Sequence, residues 1–384
     1  MGPLAGHRII EMAGIGPAPF CAMMLADMGA EVIRVDRREK ADLGLPGREA
    51  RFEVMNRGRR SIAVDLKQPA AVEVVKRLLR DADALIEGFR PGVMERLGLG
   101  PDDLATVNPR LVFGRMTGFG QEGPMAPRAG HDINYIALAG VLHHLGRAGE
   151  PPIHPLNLVG DYGGGGMYLA FGVVCALLEA KRSGRGQVVD AAMVDGAASL
   201  MAMVHGMWSE GNWREERGTN MLDSGAPWYN VYETKDGGWI SIGSIEARFY
   251  ADLLARLGLT GEALPAQHDR AGWPVLAARF TDIFKSRTRA EWETAFAGSD
   301  ACFAPVLSIS EVATHPHNAQ RGSFILRDGV QQPAPAPRFS RTTAELGTTP
   351  REAGADTGAI LAAVGYSATE IARLTQDGIV GTAG

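Results

Sequence analysis

Apolar positions fall in two kinds of block along the first half of the chain. RIIEMA (8–13), EVIRVD (31–36), ADALIEGF (82–89), LVFGRMT (111–117) and QVVDAAM (187–193) are short, nearly continuous apolar runs, the pattern of strands buried on both faces. Between them PFCAMMLADMGA (19–30), AAVEVVKRLLRDA (70–82), PDDLATVN (101–108) and an apolar run over 167–178 space their apolar residues as helices do. Strand and helix in alternation predict a parallel α/β large domain over 1–193. Residues 194–225 are rich in Met, Gly and Trp and read as a helix and a connector. WYNVYETKDGGWISIGS (228–244) then changes to a period of two around an Asp-Gly-Gly turn, followed by the helical EARFYADLLARLG (246–258). This is a hairpin and helix opening a smaller α+β domain over 226–318. QQPAPAPRFS (331–340) interleaves proline and reads as an extended linker within a final segment, 319–384, that also carries the helix ATEIARLTQ (368–376).

Composition narrows the partners. Of 384 residues 45% are hydrophobic and 22% charged, and the net charge is -5. A two-domain soluble protein fits these values, with no global attraction to nucleic acid or anionic lipid. An anionic ligand therefore needs a local basic cluster. Cys21, Cys175 and Cys302 lie far apart, so neither a disulfide framework nor a zinc site is expected, and a reducing cytoplasm fits. The opening MGPLAGHRIIEM lacks a secretory pattern, and the 167–178 run is shorter than a bilayer span. No membrane partner is expected.

The first strand–turn–helix imitates a dinucleotide fingerprint, with Gly14-x-Gly16 and an acid, Asp36, placed for a ribose. The third glycine position is Pro19, and Pro17 removes an amide that would face a pyrophosphate, so this reading loses. No GxxxxGK[ST] motif occurs.

Two titratable residues stand where apolar helical runs begin. Asp161 precedes four glycines in VGDYGGGGMYLAF, and His131 opens HDINYIALAG thirty residues earlier. Asp161 reads either as an N-cap before a tight glycine turn or as a reactive carboxylate beside free amides. His131 by itself reads as structural. As a pair they suit proton transfer, because helix starts of an α/β domain gather around a ligand crevice. Glu246 reads as an acid in the first turn of the small-domain helix. The other histidines, His143, His144, His154, His205, His268, His315 and His317, show no metal-ligand spacing, and no metal is expected. Arg34, Arg37, Arg57, Arg59, Arg60, Lys67, Arg90 and Arg96 cluster near strand ends and form either a solvated face or a phosphate site.

MAGIGPAPFCAMMLADMGAEVIRVDR, NRGRRSIAVDLK, ALIEGFRPGVMERLGLG, AGHDINYIALAG and LNLVGDYGGGG together resemble the family III CoA-transferase superfamily, and within it the α-methylacyl-CoA racemase branch. The resemblance runs over nearly the whole chain, including CFAPVLSISEVATHPHNAQRGSF and PAPRFSR. It implies an interlocked homodimer, each chain with a Rossmann-like CoA-binding large domain, a small domain, and a tail returning to the large domain. By motif, the catalytic histidine falls on His131, the catalytic aspartate on Asp161, and the small-domain acid supplied by a partner chain on Glu246. CoA contacts fall on Arg37, on the loop Val64, Asp65, Leu66 and Lys67, and on Gly88, Phe89, Arg90 and Arg96. The last group is the loop Gly130, Asp132, Ile133, Asn134 and Tyr135. The glycines after Asp161 are then expected to serve the thioester carbonyl and acyl chain. The resemblance implies racemisation of 2-methylacyl-CoA by two bases, CoA being part of the substrate and no further cofactor being needed. CoA transfer through an acyl-Asp161, or acyl-CoA binding without turnover, are the rival readings.

Overall fold

The computed structural model describes residues 2–39 and 49–383, which form two compact units. The first comprises Met1–Ala139, Leu156–Leu200 and Ala319–Gly384, and the second Gly140–Pro155 and Met201–Asn318.

In the first unit the chain runs β1 (Arg8–Met12), α1 (Pro17–Asp27), β2 (Glu31–Arg37), β3 (Arg59–Val64), α2 (Pro69–Leu79), β4 (Ala84–Glu87), α3 (Val93–Arg96), α4 (Pro101–Val107), β5 (Val112–Thr117) and α5 (Asp132–Leu138). A π-helical segment, Leu158–Gly166, continues directly into α6 (Met167–Ser183), followed by β6 (Val188–Ala192) and α7 (Met193–Leu200). In the second unit come α8 (Ala202–Ser209), β7 (Tyr229–Glu233), β8 (Trp239–Gly243), α9 (Ala247–Arg256), α10 (Trp273–Phe284), α11 (Arg289–Ala295) and β9 (Phe303–Pro305). α12 (Pro316–Arg321) spans the sequence boundary, and β10 (Phe324–Arg327), β11 (Val330–Pro333), α13 (Thr357–Ala363), α14 (Ala368–Gln376) and β12 (Val380–Gly381) return to the first unit.

The main sheet has the order β12-β3-β2-β1-β4-β5-β6. All its pairings are parallel except that of β12, which lies antiparallel on β3 and covers that edge. Successive strand residues point to opposite faces, so each apolar run feeds two cores. Ile10, Leu85 and Phe113 pack with Val74 and Leu78 of α2 and Ile360 of α13. Their neighbours Ile9, Ile86 and Val112 pack with Leu25 of α1 and Leu169 and Val173 of α6. Coverage on both faces is why these strands read as continuous rather than alternating.

The second unit holds the expected hairpin, β7 against β8 in antiparallel register from Tyr229↔Gly243 to Glu233↔Trp239, with β9 added on β8. Trp228, Tyr232, Phe280, Phe284 and Trp292 fill its core.

Three expectations change. The units part elsewhere than at 193/194 and 225/226: α7 belongs to the first unit and residues 140–155 to the second. The start of QQPAPAPRFS is a strand, because Gln331 to Pro333 pair with β10 and Gln332 is buried, accepting a bond from Arg57 Nη1 at 3.0 Å. The apolar run is also longer than 167–178. Leu158–Ser183 is one helix of 26 residues containing an 18-residue window of mean hydropathy 1.4, long and apolar enough by composition to cross a membrane. Half of its apolar window is buried inside the unit, the character of a core helix lying on a sheet.

Candidate active site

His131 is the N-cap of α5, and its backbone N–H donates to Asn134 Oδ1 at 3.0 Å, leaving the imidazole exposed. The next residue turns inward. Asp132 is 4% exposed, and its Oδ2 accepts the backbone N–H of Asp161 at 2.7 Å. That single bond ties the start of α5 to the π-helical segment and gathers His131 and Asp161 at one place.

Asp161 is not an N-cap. It lies inside the π-helical segment, whose N-cap is Asn157, and Asn157 Nδ2 donates to Asp161 Oδ2 at 3.0 Å. Burial raises the Asp161 carboxyl above its ordinary range, the Asn157 bond lowers it, the neighbouring Asp132 charge raises it and His131 lowers it. The turn after β1 presses on the same carboxylate. A Cβ at Gly16 would stand 3.4 Å from Asp161 Oδ2, and Gly16 has φ +74. The Gly14-x-Gly16 turn thus closes on a carboxylate instead of a pyrophosphate. Asp36, the would-be ribose acid, is bonded to Arg34 Nε at 2.8 Å and Ser61 Oγ at 2.6 Å.

The glycine run also has a packing role. A Cβ at Gly196 of α7 would fall 1.8 Å from the Gly164 carbonyl oxygen, so the two helices meet backbone to backbone. Gly165 and Gly166 likewise lie against Pro17 and Phe20 of α1. Gly164, Gly165 and Gly166 are buried, and the Asp161 amide is committed to Asp132. The last three glycines therefore seat the segment between α1 and α7.

Tyr135 is buried, donates its hydroxyl to the Gly130 carbonyl, and packs edge-on to Phe119 with centroids 5.0 Å apart. Its hydroxyl is pushed up to about 12 by burial and by the charges of Asp161 and Asp132. Within the loop from Gly130 to Tyr135, Asp132 and Tyr135 are therefore internal supports, while Ile133 and Asn134 are exposed.

A cavity of about 490 Å³ opens at the carboxyl ends of β2, β3 and β4, where ligands of doubly wound sheets bind. Arg37, Val64, Asp65, Leu66, Lys67 and Phe89 line it, joined by Arg38 and by Val93 and Leu97 around α3. Asp65 braces its own loop, accepting the Lys67 N–H at 3.2 Å and Gln68 Nε2 at 3.1 Å. The eight candidate basic residues sort in two. Arg34 pairs with Asp36, Arg57 with Asp27 at 2.6 Å, Arg59 with Glu11 at 3.1 Å and Arg60 with Glu31 at 3.0 Å. Arg37, Lys67, Arg90 and Arg96 form no ion pair with a described residue and are exposed. Three of the paired set lie inside β2 or at the amino end of β3, and Arg57 just before it. The free ones stand at or beyond carboxyl ends. Strand polarity was the signal that separates them.

The chain matches CoA-transferase family III over residues 4–357. It belongs to that family. Among family relatives, it is 48% identical over 381 residues to α-methylacyl-CoA racemase of Mus musculus, covering 98% of this chain and 97% of that one. It is 45% identical over 380 residues to the Homo sapiens α-methylacyl-CoA racemase, with the same coverage. A solved CAIB/BAIF family protein from Brucella suis superposes with TM-score 0.81 at 27% identity, over 94% of this chain and 99% of that one.

Two supports of these loops were not legible as motifs. Glu87, fully buried at the end of β4, accepts the Phe89 N–H at 2.6 Å and Arg115 Nε at 3.1 Å, and burial pushes it up to about 7. Arg115 also reaches Glu95 of α3 at 2.8 Å, so it braces both sides of the turn carrying Gly88, Phe89, Arg90 and Arg96. Glu246 belongs to the second unit, where it is the exposed N-cap of α9 and its side chain caps nothing. Among the described residues no three His, Cys, Asp or Glu form a metal-binding group, and the three cysteines are free.

Proposed function

We propose that this protein interconverts the (R) and (S) epimers of 2-methylacyl-CoA thioesters by 1,1-proton transfer between His131 and Asp161. Near-full-length identity of 45% and 48% to two α-methylacyl-CoA racemases carries the reading; a histidine and a carboxylate gathered at one place supply its chemistry. The CoA phosphates would sit in the cavity with Arg37 and Lys67, and the pantetheine would pass Gly88 to Arg90 toward His131. One base takes the α-proton, the thioester becomes an enolate, and the other base returns a proton to the opposite face. Burial makes Asp161 a stronger base than an ordinary carboxylate, which brings it nearer the acidity of the α-carbon. Since the Asp161 amide is taken, the enolate oxygen would be met by the amides of Asp132 and Ile133, which have no carbonyl partner in their own helix. CoA is substrate here, and the reaction needs no further cofactor. We place the enzyme in the cytoplasm, in branched-chain fatty acid metabolism, as a homodimer whose partner chain brings Glu246 beside Asp161.

Incubating one epimer in D2O without any carboxylic acid acceptor tests the reading. Wild type should yield both epimers with deuterium at C2. His131→Ala should exchange the α-proton of one epimer with retention, and Asp161→Asn that of the other. An acyl group on Asp161 that forms only when a carboxylate is added, with no deuterium entering in its absence, would replace racemisation by CoA transfer.

A further inference from the structure

We infer that Asp132 is a positioning residue for Asp161, holding the backbone of that base in place and using its own buried negative charge to keep the base's carboxylate avid for protons. The role in catalysis rests on the racemase reading; the geometry does not.

An acid at the first position of a helix ordinarily sits at the surface, where it complements the helix dipole. Asp132 occupies that position in α5 but is 4% exposed. Its Oδ2 accepts the Asp161 N–H at 2.7 Å, while its Oδ1 is buried with no partner. No ion pair with a described cation neutralises it. A buried carboxylate with a free oxygen is costly to the fold, so dipole stabilisation alone does not account for it. The surrounding sequence makes room for it, since a Cβ at Gly160 would fall 2.7 Å from Asp132 Oδ2.

The groups around Asp161 are few. α5 contributes His131, Asp132 and Tyr135, whose hydroxyl is engaged by Gly130 and so does not neutralise either acid. The α1 side contributes the uncharged Gly16 turn, and α7 meets the segment through the backbone of Gly196 and Ala197 and the apolar side chains of Met193 and Leu200. Within the segment, Asn157 supplies a neutral donor to Asp161. Asp132 is thus the negative charge that faces Asp161, opposed by His131.

Asp132→Asn removes the charge and keeps an oxygen to accept the Asp161 N–H. The first readout is independent of activity: labelling of Asp161 by a carbodiimide with an amine, followed by peptide mass spectrometry across pH, reports where its carboxyl loses its proton. The midpoint should fall by about one pH unit in Asp132→Asn, the size of one removed like charge. The second readout is epimerisation: kcat should fall roughly tenfold, as a weaker base predicts, with KM for acyl-CoA unchanged. Thermal stability should hold or rise, since an unpaired buried charge is gone. Gly160→Ala, which crowds Oδ2 off the amide, should lower kcat without moving KM in the same way. An unmoved labelling midpoint in Asp132→Asn, or loss of stability and activity together with no change in midpoint, overturns the inference. Wild type that shows no epimerisation overturns the function while the labelling result still judges Asp132.

Discussion

Replacing Arg37 and Arg57 by alanine, one at a time, tests whether the exposed basic residues of the cavity meet the proposed substrate while the buried ones hold the fold. Arg37 is exposed, lines the cavity and forms no ion pair with a described residue. A charge-assisted bond to a phosphate contributes ~1.5–3 kcal/mol, and solvent at the open rim screens it, so the lower figure applies. Arg37→Ala should raise KM roughly tenfold, with kcat nearly unchanged because ground and transition states lose the same contact. Added salt should raise the wild-type KM and affect the variant less. Arg57 is the opposite case: it is buried, its Nε and Nη2 bond Asp27 at 3.1 and 2.6 Å, and its Nη1 reaches the Pro333 carbonyl at 2.8 Å. Its loss strands Asp27, which is 3% exposed, at a cost of roughly 3–5 kcal/mol. Steady-state kinetics and urea unfolding on both variants give the answer. An unchanged KM in Arg37→Ala, or a raised KM with full stability in Arg57→Ala, would refute the sorting.

Glu87 sets a pH dependence of stability. Its folded value of about 7 lies above the usual 4.5, so the folded state keeps a proton that the unfolded chain releases. The stabilisation is complete below pH 4.5 and is lost as pH rises through 7, by roughly 3 kcal/mol; urea midpoints over that window should be flatter in Glu87→Gln, and parallel curves would contradict the assignment. Gly196→Ala, with its Cβ 1.8 Å from a carbonyl oxygen, should cost more than ~4 kcal/mol or prevent folding, whereas Gly206→Ala in α8, with nothing within 4 Å, should be neutral or stabilise by up to ~1 kcal/mol. Thermal melts compare the two. If partner chains share sites, mixing inactive Asp161→Ala and Glu246→Ala proteins should recover part of the activity through hybrid dimers, and no recovery after subunit exchange would argue against the shared site.

Apolar runs of strand length alternating with helical periods were enough to establish a parallel α/β unit, because a strand covered on both faces must be apolar at Ile9 and Ile10 alike. The Asp-Gly-Gly turn was enough for the hairpin of the second unit, and the motifs around His131 and Asp161 for the family. Those signals are local, or repeat with a fixed period. What the pattern left open depends on residues distant in sequence. Gln332 and Pro333 form a strand, despite the prolines, because β10 pairs with them and Arg57 meets them. Four arginines look like a phosphate site until Asp36, Asp27, Glu11 and Glu31 are found beside them. The glycines after Asp161 read as a tight turn behind an N-cap until Gly196, some thirty residues on, is found against their backbone. Asp132 looks like a helix-start acid in sequence, and only its burial against the Asp161 amide gives it another role. Charge pairing and close backbone approach act across space, so tertiary structure alone decides them.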